Sequence, residues 1–121
     1  MKRPLAEQRR LKAEQRRIKE QAIFCIADGR YDKATEFIFD VIAVMAKLGT
    51  LREQGRSLRP SQVKKMIETK HKSVRRGYAA RSINITQKEI AKQVYEEIML
   101  ELAPESTNHR PLSEQLEDEE Q

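Results

Sequence analysis

The apolar positions of this chain fall into four helically spaced clusters, separated by polar stretches that hold its glycines. The densest cluster is Ala34 to Leu48, where Phe37, Ile38, Phe39, Val41, Ile42, Val44, Met45 and Leu48 leave few polar faces. A helix apolar nearly all the way round must be covered on several sides, so this segment is predicted to be the central helix. A buried strand fits poorly: the run is long, and Ala34, Ala43 and Ala46 favour helix. Phe37, Val41, Val44 and Met45 are expected to be among the most buried side chains.

The preceding segment, from Pro4 to about Ala27, repeats AEQRR at Ala6–Arg10 and Ala13–Arg17. On a helix, Leu11, Ile18, Ala22 and Cys25 form one narrow stripe. Arg9, Arg10, Lys12, Arg16, Arg17 and Lys19 occupy the other half. Apolar density starts only at Ile18, so residues 1–17 are predicted to project as a basic helical arm from a helical domain spanning 18–103. Gly29 can take the left-handed conformation that ends a helix, and Asp32 is a natural N-cap for the next one. So short a loop implies an antiparallel hairpin. The phrase Gly29-Arg30-Tyr31-Asp32-Lys33-Ala34 resembles the turn of a tetratricopeptide-type hairpin, a likeness covering about Ala22 to Leu48. The resemblance implies the hairpin geometry alone, because no second copy follows and such arrays need about three repeats.

Thr50 to Arg59 reads as a polar connector, and Pro60 suits the first turn of a third helix. That helix is predicted to run to about Arg76, with Val63, Met66, Ile67 and Val74 on its apolar face. Gly77 should end it, and the connector Tyr78 to Asn84 should bury Tyr78 and Ile83. Thr86 and Glu89 form a capping box for a last helix, with Ile85 stapled onto Ile90. Its stripe is Ile90, Ala91, Val94, Ile98 and Leu102, and Pro104 lies just beyond. Residues 104–121 are too polar to offset the cost of ordering and read as a disordered acidic tail. The fold class expected is therefore all-α: a bundle of about four helices near 4–28, 32–48, 60–76 and 86–103, with no sheet.

Composition adds function to this picture. The chain has 121 residues, 36% of them charged and 5% aromatic, with a formal net charge of +5. The charge is blocked: +5 over residues 1–20, −1 over 21–51, +9 over 52–92 and −8 over 93–121. Such blocks suggest polyanion binding beside an acidic tail. No apolar run approaches the ~18 residues of a membrane span. The basic N-terminus lacks the apolar stretch of a secretory signal, and Glu7, Glu14 and Glu20 argue against a transit peptide. A cytoplasmic location is expected, with Cys25 alone and unable to form an intramolecular disulfide.

Catalytic chemistry finds no support in the sequence. There is no phosphate-binding glycine loop or nucleophile motif, and His71 and His109 lie far apart, so no metal or cofactor is expected. Cys25, between Phe24 and Ile26, reads as inert packing. Tyr31, Tyr78 and Tyr95 read as core edges, and Glu96, Glu97 and Glu101 as a solvated face.

Two basic surfaces remain. Lys64, Lys65, Lys72, Arg75 and Arg76 cluster opposite the apolar face of the third helix, extended by Lys70 and Arg81; the arm offers Arg9, Arg10, Arg16 and Arg17. A plain solvated surface is the bland alternative, but same-sign neighbours on one helix repel unless a polyanion relieves them. The reading is a non-catalytic accessory protein that binds DNA or RNA through phosphates, led by the third helix, which is held rigidly by its own core face. Ile85 to Val94 resembles the first helix of a bacterial helix-turn-helix. The pattern then fails, because Tyr95-Glu96-Glu97-Ile98 continues the helix where a turn is due. The competing class is a helical protein-interaction module, of the kind phage or plasmid accessory proteins use against a host or replicative protein. It would pair through the arm and hairpin, with a second copy of itself or with another partner.

Overall fold

A computed structural model describes residues 4–102 and contains, among them, five helices and no strand. They are α1 (Leu5–Ala27), α2 (Tyr31–Leu48), α3 (Glu53–Arg56), α4 (Pro60–Ala80) and α5 (Gln87–Leu102). The expected acidic tail, 104–121, lies outside the described residues. The molecule is a small all-α bundle in which α1 packs on α2 and α5, and α4 packs on the same two helices. The two most basic helices, α1 and α4, therefore occupy opposite corners.

Glycine sets the hairpin. Gly29 takes φ 75°, its N–H donating to the Ile26 carbonyl at 3.1 Å while the Arg30 N–H reaches the Cys25 carbonyl at 2.9 Å. This pair of bonds is a Schellman closure, which satisfies carbonyls that the end of α1 would leave bare. Gly49 (φ 72°) repeats it at the end of α2, with Gly49 N–H to Ala46 and Thr50 N–H to Met45. The start of α5 is closed as expected, the Glu89 N–H donating to Thr86 Oγ1 at 3.2 Å. At the start of α4, the Arg59 N–H donates to Oε1 of Gln62 at 2.8 Å.

The core runs along the predicted stripes. Leu11, Ile18, Ala22 and Cys25 of α1, Val41, Val44 and Met45 of α2, Val63 and Ile67 of α4, and Ile90, Ala91, Val94, Ile98 and Leu102 of α5 are all buried. Several details differ from the sequence reading. Leu11, placed in the arm, is 5% exposed and belongs to the core. It stands seven residues before Ile18 on the same stripe, so α1 is anchored well before Ile18. Phe37 is only half-buried at the edge, while Ile38 is fully buried. A helix with apolar residues all round still has a best face, and Ala34, Ile38, Val41 and Met45 define it. Asp32 is not the N-cap, because α2 begins at Tyr31 and Asp32 stands inside its first turn.

The connector between α2 and α4 is not featureless. Its helix α3 buries Gly55, where an added Cβ would stand 2.6 Å from Leu51 Cδ1. The Arg52 N–H donates to the Leu102 carbonyl at 2.7 Å and ties this connector to the end of α5. Gly77 does not end α4, which continues to Ala80. A single helix glycine costs about 1 kcal/mol relative to alanine, too little to stop a helix that is anchored on both sides.

Candidate nucleic-acid interface

The outward side of α4 is defined by its inward one. Val63, Ile67 and His71 are buried at intervals of four and fix the helix's rotation. Lys65, Lys72, Arg75 and Arg76 are consequently exposed. Lys72, Arg75 and Arg76, at spacings of three and four, stand on one face of the last turns and line a common cleft of about 470 Å³. Its other wall is the chain that returns from α4 to α5, with Ile83, Ile85 and Gln87.

The remaining residues of the predicted set are more engaged. Lys64 Nζ lies 2.8 Å from Asp32 Oδ1 of α2, and this bond holds its ammonium above the usual lysine range. Lys72 is paired within the helix with Glu68 at 3.1 Å. Arg81 folds back on its own helix end, its Nε donating to the Gly77 carbonyl at 3.1 Å and its guanidinium lying 5.0 Å from the Tyr78 ring centre. Lys70 is on the α5 side of the helix, 2.9 Å from Glu101, and does not extend the face. Lys65, Arg75 and Arg76 make no ion pair among the described residues.

No family model, curated protein or solved structure matches this chain.

The arm's arginines are a separate surface. Arg9, Arg10, Arg16 and Arg17 are exposed on α1, across the bundle from α4. Arg17 shares a shallow cleft with Glu14, Asp40 and Lys47, so the charge there is mixed. The structure thus keeps the two predicted basic sets apart, and brings together three members of the α4 set.

Two features near the site carry no signal in the sequence. His71 stands between Lys70 and Lys72 in the sequence but is 2% exposed, with Nδ1 2.7 Å from Tyr31 Oη on α2. Burial first, and the Arg75 charge second, hold its pKa below the usual histidine range. The cleft's second wall was equally hidden: Ile83, expected to be buried, is 45% exposed. On the other side of the molecule, burial raises the Cys25 thiol and the Tyr95 phenol, which disfavours their ionised forms. Among the described residues, no cluster of His, Cys, Asp and Glu could hold a metal ion, and no helix is long and apolar enough to cross a membrane.

Proposed function

We propose that the chain is a non-catalytic nucleic-acid-binding accessory protein, working in the cytoplasm, whose contact surface is the exposed face of α4. The observation that carries this reading is the convergence of Lys72, Arg75 and Arg76 on one cleft, with Arg75 and Arg76 lacking a carboxylate partner among the described residues. Lys65 continues the row toward the start of the helix. Because α4 is anchored by Val63, Ile67 and His71, these cations stand on a backbone that needs no further ordering, and only their side-chain freedom is lost on binding. Phosphates that meet them release counterions, giving binding that is strong at low salt and weakly dependent on sequence.

Replacing Lys65, Lys72 and Arg76 together with Gln tests this. All three are exposed, so the fold should survive. Affinity for unrelated nucleic acids should fall alike, and the slope of log affinity against log salt should flatten by about 2–3 if all three meet phosphates. An unchanged slope would reduce the face to solvated surface.

One observation favours the protein-interaction reading instead. Phe24 is 67% exposed on α1, opposite that helix's buried stripe. A defined protein partner that survives nuclease treatment, and is lost in Phe24→Ser, would support it.

A further inference from the structure

The cleft at the end of α4 has two unlike walls, and duplex binding uses only one of them. A duplex offers phosphates on its outside and keeps its bases stacked within, so a row of cations suffices to hold it. Here Lys72, Arg75 and Arg76 share the cleft with a second wall of Ile83 and Ile85, and Asn84 and Gln87 also line it. Ile83 remains 45% exposed although it directly follows the closed end of α4. Tyr78 also lines the cleft, with the Arg81 guanidinium over one face of its ring and its hydroxyl donating to Gln93 Oε1 at 2.6 Å. Of the large apolar side chains lining the cleft, Ile83 is the most exposed, and Ile85 stands two residues further along the same returning chain. The volume, about 470 Å³, lies within the ~300–1,000 Å³ typical of clefts that take small organic groups.

We infer that this cleft takes one nucleotide of a single-stranded nucleic acid, with its phosphates on Lys72, Arg75 and Arg76 and its unstacked base against Ile83 and Ile85. A single strand presents backbone charge and a bare base face within one nucleotide's reach; sites that bind it pair a cationic track with aromatic plates, and unstacked bases are also held between apolar side chains. Asn84 and Gln87 can each donate to and accept from the edge of such a base. The Lys72–Glu68 pair is no obstacle, because exposed pairs are weak and exchange readily for a phosphate. This inference rests on the nucleic-acid reading above and specifies its ligand.

The test is fluorescence anisotropy of the full chain at low salt against three probes of one mixed sequence: single-stranded DNA, single-stranded RNA and the blunt DNA duplex. At least one single strand should bind about tenfold tighter than the duplex, and the tighter of the two names the natural sugar. Ile83→Ser should weaken single-strand binding by up to about fivefold, the lower end of the range for a base stacked on an aromatic ring, and leave duplex binding within about twofold. Arg75→Gln with Arg76→Gln should weaken both. Equal affinity for duplex and single strand, or an Ile83→Ser loss shared by both, overturns the inference and leaves the nucleic-acid reading standing. Absence of binding to all three probes overturns both. The wild-type preference is read without any substitution, so the outcome does not depend on how the variants fold.

Discussion

Tyr31 Oη lies 2.7 Å from His71 Nδ1, joining the first turn of α2 to the middle of α4 across 40 residues of sequence. The rings meet edge to face with centres 5.7 Å apart, and Nε2 of His71 is buried without a hydrogen-bond partner among the described residues. A neutral imidazole tolerates this place better than a charged one. With its folded pKa below the unfolded value near 6.5, His71 remains neutral while the unfolded chain takes up a proton. Stability from this group is fully present above about pH 6.5 and is lost as pH falls from there to the folded pKa. Arg75 on the same helix adds repulsion in the same direction. Urea unfolding from pH 8 to 5 should show a steeper loss in the wild type than in His71→Leu. The difference between the curves isolates His71 from the carboxylates, and parallel curves would refute the assignment.

Removing the hydroxyl tests the same link at constant pH. Tyr31→Phe keeps the ring but leaves Nδ1 of His71 buried and unpaired, which should cost about 1–3 kcal/mol at pH 7.5. The double variant with His71→Leu should lose less than the sum of the two single changes, because the orphaned nitrogen is gone. Strict additivity would mean that the two side chains do not interact in solution.

What the sequence could and could not disclose follows from the range of each signal. The stripes of α1 and α5, the Gly29 turn and the Thr86–Glu89 closure are local patterns, and they reappear in the fold. The Tyr31–His71 contact joins residues too distant for any periodicity to connect, and between Lys70 and Lys72 nothing local marks His71 as buried. Gly77 looked like a stop, yet the packing of α4 on α2 and α5 overrides a weak propensity and carries the helix to Ala80. That extension moves the turn onward and makes the cleft, so the same misjudged glycine concealed its second wall. The cationic wall was legible because Lys72, Arg75 and Arg76 share a helical face by spacing alone.

The centre of the core can be weighed by two neighbouring substitutions. Ile38 is fully buried, whereas Phe37 is half-buried at the edge of the cluster and lies under Lys33, 5.9 Å from the ring centre. Ile38→Ala should therefore cost about 2–5 kcal/mol, enough to unfold much of a marginal domain. Phe37→Ala removes more atoms but should cost less, since part of that ring is already in water. Chemical denaturation would decide, and a larger loss at Phe37 would mean that α2 is rotated from the position described.

The end of α4 repeats the closure of α1 and α2 with one change of residue. Ser82 N–H donates to the Ala79 carbonyl at 3.1 Å and Ile83 N–H to the Tyr78 carbonyl at 3.0 Å, the same pair of bonds seen around Gly29 and Gly49. Here the left-handed position holds serine, at φ 55°, the sole non-glycine with positive φ among the described residues. A Cβ in that conformation crowds the following carbonyl and costs about 1–2 kcal/mol, while glycine costs part of this back through unfolded-state entropy. Ser82→Gly should thus raise stability by about 0.5–1 kcal/mol. Gly29→Ala and Gly49→Ala should lower it by about 1 kcal/mol each. No atom stands within 4 Å of a Cβ built at either glycine, so those losses would report the backbone alone. If Ser82→Gly is neutral or destabilising while both alanine variants lose stability, Ser82 does not hold the left-handed conformation, and the turn that positions Ile83 is built differently.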